Sequence, residues 1–356
     1  MTLAEQFTSL DSILKRTRAY WQCTAFDFDA IPWPELQGIL NSLTDEQVAT
    51  LDTKQNELID FFNPHIKLLD ELQLLCELPQ ADTRRYDYPF WISNGIKGRK
   101  FEQLQDFVSA LPNTKLPVLE WCAGKGHLGR MLAFNGATHI NSLELQANLC
   151  EQGKKSAKQQ GLAIQFSQVD VLHDDTTLFF NTDMHAVALH ACGALHQAMI
   201  HKAIAANVKQ ISFSPCCYHL FTPNDYLPMS ELAKQSQLRL THRDLKLALQ
   251  ETVTAPSRVD KIRKIELEWR LGFDALRRSI TNEPYYVSVP SVNKAVFSGS
   301  FKSFCEWAGD KKALKTPQDI DYVRFLSEGV ARKKVTDRIE LVRHVFRRAI
   351  EVWLVL

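Results

Sequence analysis

The sequence has no run of about 18 apolar residues long enough to cross a bilayer as a helix, and Met1 is not followed by a basic segment leading into an apolar core. These absences argue against a membrane span and a secretory leader, so a cytoplasmic protein with no membrane partner is expected. Glycine and proline, 14 each in 356 residues, are not in excess, and no internal repeat or low-complexity tract occurs. Fibrous and disordered classes are thereby removed. The eight cysteines follow no regular framework, and Cys216 and Cys217 are adjacent, which suits reduced thiols better than structural disulfides. What remains is an ordinary globular composition, 45% hydrophobic and 23% charged, in a chain long enough for one large core or two to three modules.

The net charge of +1 hides an asymmetry: residues 1–95 carry −8, residues 96–219 carry +2 and residues 220–356 carry +7. An acidic front and a basic back fit docked halves, a nucleic-acid face on the C-terminal part, or plain solvated helix faces. Seven bases (Arg258, Lys261, Arg263, Lys264, Arg270, Arg277 and Arg278) lie between Ser257 and Ser279 and could track phosphates.

Apolar residues at helical spacing, such as Leu36, Ile39, Leu40 and Leu43, run through the first 80 residues, with breaks expected at Pro32, Pro34, Pro64 and Pro79. Residues 1–95 are therefore expected to form a helical N-terminal region, with 81–100 as the connection into the next domain. From a helix at Phe101–Leu111 onward, helix and strand alternate. Strands are expected at Pro117–Trp121, Ile140–Leu145, Ala163–Asp170, Ala186–His190 and Gln210–Ser214. This is the pattern of an α/β, doubly wound, Rossmann-like sheet, whose parallel crossovers bring every strand's C-terminal end to one edge. Residues 96–300 are assigned to that domain, with a helical insertion at about 225–280 and last strands in Tyr285–Phe297. Residues 301–356 form a helical C-terminal extension, whose uncapped apolar end, Trp353 to Leu356, is either buried or a truncation.

The strongest motif is Val118-Leu-Glu120-Trp-Cys122-Ala123-Gly124-Lys-Gly126-His-Leu-Gly129, a strand running into a glycine turn and a helix. Glycines let the backbone approach a ligand, and the helix start offers free N–H groups. A dinucleotide oxidoreductase satisfies the same spacing. Three acids favour a methyltransferase instead: Glu120 for the methionine end of the cofactor, Glu144 for the ribose hydroxyls, and Asp170, followed by Val171, for the adenine amino group. The fourth and fifth strand ends add His190, Cys192, Cys216, Cys217 and His219, a set of nucleophiles, bases and thiols beside the reacting methyl group. No metal is expected there, because zinc held by Cys192, Cys216, Cys217 and His219 requires adjacent residues to share one ion.

The segments Glu120–Gly129, Ala188-Leu-His-Ala-Cys-Gly193 and Pro215-Cys-Cys-Tyr-His219 resemble the methyltransferase domain of the glutathione S-transferase C-terminal-domain-containing protein and its methyltransferase-like relatives. More distantly they resemble the tRNA acceptor-stem 2′-O-methyltransferases. The resemblance covers roughly residues 95–220. It implies a class I methyltransferase sheet, S-adenosylmethionine held by Glu120, Cys122, Ala123, Gly124, Gly126, Glu144, Asp170 and Val171, and an RNA substrate such as tRNA or rRNA rather than DNA. Neither zinc-finger spacing nor a glutathione-transferase-like segment accompanies it. Three alternatives stand beside methylation of RNA: a cysteine-nucleophile pyrimidine C5 methyltransferase, a small-molecule methyltransferase, and a non-catalytic module that binds adenosylmethionine or RNA.

Overall fold

The computed structural model describes residues 1–112, 115–220, 226–249, 257–317 and 319–356, which divide into two compact units. One unit is Glu77–Leu249. The other combines the described residues of Met1–Cys76 with those of Gln250–Leu354. The expected boundaries at 95/96 and 300/301 do not coincide with this division. The long helix Ser257–Thr281 belongs to the second unit, so it is not an insertion in the sheet domain.

The first unit is built on five parallel strands, β1 (Val118–Glu120), β2 (Ile140–Glu144), β3 (Ile164–Gln168), β4 (His185–Leu189) and β5 (Gln210–Ser214), in the order β3-β2-β1-β4-β5. Each lies within one or two residues of its expected bounds. Helices α1 (Gly98–Ala110), α2 (His127–Phe134), α3 (Ala147–Gln159) and α4 (Ala194–Ala205) provide or flank the crossovers. Alternation along β1 separates two cores. Val118 joins Leu104, Val108, Leu128 and Met131 on one face, while Leu119 joins Met199 and Ala203 on the other. Tyr86, Tyr88 and Trp91 pack against the first of these cores, so residues 81–100 are part of the domain and not a linker. The chain direction across the sheet reverses between β1 and β4, the crevice where open α/β sheets hold ligands.

No strand forms over 285–297 among the described residues; that stretch is irregular, with a 3₁₀ turn at Lys294–Ser298. The expected helical run 231–279 is also broken, into Glu231–Gln235, a 3₁₀ segment at Asp244–Leu249 and Ser257–Thr281, with residues 250–256 outside the described ones. Pro34 does not break a helix. It starts one, Pro34–Ser42, at the position where its missing N–H has no intrahelical partner to lose.

In the second unit the helices Ser257–Thr281 and Tyr322–His344 lie side by side. A Cβ on Gly329 would meet the Glu268 carbonyl at 2.3 Å and the Gly272 nitrogen at 2.6 Å, so two glycines set their closest approach. At the same contact the fully buried Asp274 accepts from Arg277 Nε (3.1 Å), Arg278 Nε (2.7 Å), Arg332 Nη1 (3.0 Å) and the Val287 amide (3.3 Å). Arg270 pairs with Glu266 and donates to the Val289 and Pro290 carbonyls. Three of the seven bases expected to track phosphates, Arg270, Arg277 and Arg278, are thus engaged within the unit. The Arg258 side chain lies outside the described residues. Of the C-terminal apolar run, Trp353 is buried at 2% exposed, its indole donating to Asp11 and its ring 5.5 Å from that of Phe7, whereas Leu354 and Leu356 are half-buried and Val355 is exposed.

Removing the Asp274 carboxylate takes away the one buried counter-charge of Arg277, Arg278 and Arg332, which keep only the exposed carboxylates of Glu283 and Asp29. Asp274→Ala is expected to destabilise the second unit by about 3–5 kcal/mol. Urea unfolding followed by tryptophan fluorescence tests this, and a loss below about 1 kcal/mol contradicts it.

Candidate active site

The turn after β1 is held by backbone that side chains rarely tolerate. Cys122, Gly124 and Gly126 have φ of +56°, +61° and +68°. Glycine adopts this region freely, but at Cys122 it costs about 1–2 kcal/mol, which the surroundings must offset. The Ala123 amide donates to Leu143 O at 2.8 Å and the Gly126 amide to Ala123 O at 2.9 Å, so the turn is pinned to the neighbouring strand and closed on itself. At Gly126, which opens α2, a Cβ would stand 2.4 Å from the Phe166 ring of β3.

Glu120 does not face the cofactor crevice, as its place in the motif suggests. Its side chain follows the parity of Val118, away from the crevice and under α2, and it is 2% exposed. Its carboxylate accepts from Ser142 Oγ at 2.5 Å and from the Gly129 amide at 3.0 Å. Gly129 is required there, because a Cβ would lie 2.6 Å from Glu120 Oε2. Burial raises the Glu120 carboxyl to about 7, against the opposing pull of those two hydrogen bonds and of Arg130. The residue braces β1, β2 and α2 from beneath the turn and is not among the walls of the crevice.

The crevice itself is a cleft of about 490 Å³ at the C-terminal strand ends. Cys122, Glu144, Leu145, Gln146, Asp170, Val171, Leu172, Cys192, Leu195 and Leu220 are among its walls. Glu144 accepts from the Gly124 amide (2.8 Å) and the Gln146 amide (2.9 Å), one on each oxygen, which fixes the carboxylate while leaving acceptor capacity. Asp170 accepts from the Leu172 amide and from His173 Nδ1 (2.9 Å), and that histidine contact, ahead of the amide, holds its carboxyl below the usual range. Leu145 and Leu172 are 57% and 40% exposed at the lip, apolar surface suited to a planar base. Sequence reasoning missed these leucines, which follow the acids of β2 and β3 by one and two positions. Gly124 and Gly126 support the cleft through their backbone and, with Ala123, are not among its walls.

Of the strand-end group beyond β4 and β5, Cys192 lines the cleft and His190 and His219 do not. The sulfurs of Cys192, Cys216 and Cys217 lie within 4.8 Å of one another, with Cys192 and Cys216 at 3.2 Å. Burial raises the Cys216 and Cys217 thiols, and the proximity of Cys192 adds to it. Neither is a ready thiolate in this state. His219 is outside the thiol cluster. Its Nδ1 is buried with no hydrogen-bond partner among the described residues, and its ring is 5.2 Å from that of His242. Burial, then Lys246 and His242, depress the His219 imidazole, and burial, then Lys100, depress His190, so both are neutral at pH 7.

Residues 97–224 match the family profile described as a methyltransferase domain. That segment is a methyltransferase domain. The cofactor its cleft fits is S-adenosylmethionine: carboxylates end two adjacent strands, apolar side chains stand between them, and the glycine turn adjoins β1. A search of curated protein sequences gives no match. Among solved structures the chain is similar to the bifunctional kinase-methyltransferase WbdD (19% identity, 38% of this chain and 30% of that one, TM-score 0.24). It is also similar to geranyl diphosphate C-methyltransferase from Streptomyces coelicolor A3(2) (10% identity, 38% and 54%, TM-score 0.23). A third likeness is to coclaurine N-methyltransferase (11% identity, 87% and 84%, TM-score 0.31). The chain thus spans about a third of the first of these proteins and about half of the second. Likenesses this distant say nothing about the methyl acceptor.

The Glu120 carboxyl binds its proton more tightly in the folded domain, at about 7, than in the unfolded chain, near 4.5. The contribution of Glu120 to folding stability therefore falls as pH rises from about 4.5 to 7 and is level above that, a loss of about 3 kcal/mol at most, set against the opposite slope of His127 and His185, which burial lowers to about 4. Glu120→Gln, which keeps an acceptor for Gly129 and offers a donor to Ser142, is expected to remove the Glu120 contribution. Matching stability profiles for the two proteins between pH 5 and 7 would refute the assignment.

Proposed function

We propose that the methyltransferase domain binds S-adenosylmethionine in the cleft between the β1–β4 ends and transfers its methyl group to an acceptor entering from the β4 and β5 side. The observation carrying this reading is the pair of oriented carboxylates at consecutive strand ends: Glu144 for the ribose diol, Asp170 for the adenine amino group. The methyl group moves by in-line displacement, so the chain's own task is alignment and removal of a proton. His219 is proposed as the base, since it is neutral and its Nδ1 has no described partner. His190, in left-handed backbone at φ +65°, shapes the loop beside Cys192. Attack by Cys216 or Cys217 on a pyrimidine is disfavoured, because burial keeps both thiols protonated.

RNA remains the proposed acceptor on the strength of the motif resemblance alone, since Arg270, Arg277 and Arg278 are occupied within their own unit. Labelled-methyl transfer into fractionated cell extract decides between classes. Label in RNA is expected, and label confined to small metabolites overturns the acceptor assignment while leaving the methyltransferase reading intact.

Calorimetry should give micromolar binding of S-adenosylhomocysteine, weakened at least about 10-fold by Glu144→Ala, since one good charged hydrogen-bonding group contributes about 1.5–3 kcal/mol. Absence of binding to folded protein removes the proposal. In the transfer assay His219→Ala should lower kcat by about 10²-fold. A covalent adduct with 5-fluoropyrimidine RNA would show that a cysteine nucleophile, and not His219, begins the chemistry.

A further inference from the structure

The expectation of no metal rests on the strain of adjacent residues, Cys216 and Cys217, sharing one tetrahedral ion, a strain that is greatest in an extended strand, where neighbouring side chains point to opposite faces. The chain here is not extended. β5 ends at Ser214, and Cys217 sits in left-handed backbone at φ +50°, a bend that a non-glycine residue adopts only at a cost of about 1–2 kcal/mol. The bend turns both sulfurs toward Cys192 on the neighbouring loop, so three thiols face one point within 4.8 Å of one another.

The two loops are stitched so that this convergence is fixed. The Gly193 amide donates to Cys216 O (3.1 Å), the Ala194 amide to Leu220 O (3.0 Å) and the Leu220 amide to Cys217 O (2.8 Å). The loops approach so closely that a Cβ on Gly193 would stand 2.1 Å from Leu220 O. Backbone strain and close approach of this kind are held in place by their surroundings, and such strain clusters at functional sites.

We propose that Cys192, Cys216 and Cys217 form a three-thiolate site for a soft d¹⁰ cation of the zinc type, with the fourth position left to water or substrate. Zinc–sulfur bonds of about 2.3 Å at tetrahedral angles put ligand sulfurs about 3.8 Å apart; here Cys192 and Cys216 are at 3.2 Å and all three sulfurs lie within 4.8 Å of one another. Three protein ligands with one open position is the arrangement of catalytic rather than structural zinc. His219 is not needed as a ligand, which leaves it free to act as a base. Three thiols packed together resist losing protons by mutual repulsion, and a divalent cation reverses that balance, so binding releases protons and strengthens with pH. Cys192 is both a ligand and a wall of the cofactor cleft, which sets the ion at the cleft's edge.

The full chain, purified with reductant and freed of metal, is titrated with cobalt(II) and then zinc. One equivalent of cobalt is expected, with the near-ultraviolet thiolate charge-transfer band, displaced by one equivalent of zinc. Three fewer thiols should then react with an aromatic disulfide reagent. Cys192→Ser and Cys217→Ser should each weaken zinc binding by about 10²-fold or more, whereas Cys23→Ser should not change it. Circular dichroism melts confirm that each variant is folded, and binding that persists in both folded variants overturns the site. So does a fully reduced chain that takes up neither metal, or a Cys192–Cys216 disulfide whose reduction restores no zinc uptake. Zinc uptake is read without methyl transfer, so its failure leaves the methyltransferase reading standing, and failure of cofactor binding leaves the metal site standing.

Discussion

Everything on the ligand-binding edge of the sheet depends on one buried carboxylate. Glu120 lies beneath the first turn of α2 and accepts from the Gly129 amide and the Ser142 hydroxyl, linking β1, β2 and the helix that leaves the glycine turn. With that helix start fixed, the turn from Cys122 to Gly126 has little freedom. Its Gly124 amide reaches Glu144, and Glu144 is thereby oriented at the end of β2. The hydrogen bonds of Glu120 thus brace a cleft of which Glu120 is not itself a wall. The motif suggests a cofactor ligand at this position; the contacts Glu120 makes are to the scaffold.

The second unit shows how a charge count misleads about charge placement. The C-terminal 137 residues carry the molecule's positive excess, yet much of it is directed inward. Arg332, Arg338 and Arg343 are each less than 10% exposed and donate to backbone carbonyls or buried acids. Asp274 gathers three guanidinium groups at a helix contact set by Gly272 and Gly329. Buried charge of this kind is tolerated only when paired, and pairing removes the groups from recognition of a phosphate backbone.

The loops after β4 and β5 combine features that would each be ordinary alone. Left-handed residues at His190, Gly193 and Cys217 bend both loops, and backbone hydrogen bonds tie them to each other. The result places thiols, a neutral imidazole and the cofactor cleft in one domain, along the edge where parallel strands end. That edge exists because right-handed crossovers give every strand the same direction.

The sequence by itself determined the sheet and the placing of its strand ends. Five apolar runs separated by helical segments identify parallel strands to within two residues. A glycine turn after β1 and acids after β2 and β3 are then neighbours on one edge. Only the tertiary structure decided which way the individual side chains face. Glu120 turns to α2 by strand parity, a one-residue matter that a motif cannot resolve. The thiols of Cys216 and Cys217 converge because a single φ angle reverses the alternation of an extended chain. The membership of Ser257–Thr281 was likewise decided at this level, since its glycine and its buried acid meet partners from the helix Tyr322–His344. Periodicity reports local conformation and exposure along one element, whereas these outcomes depend on contacts between segments far apart in the chain, which no local pattern encodes.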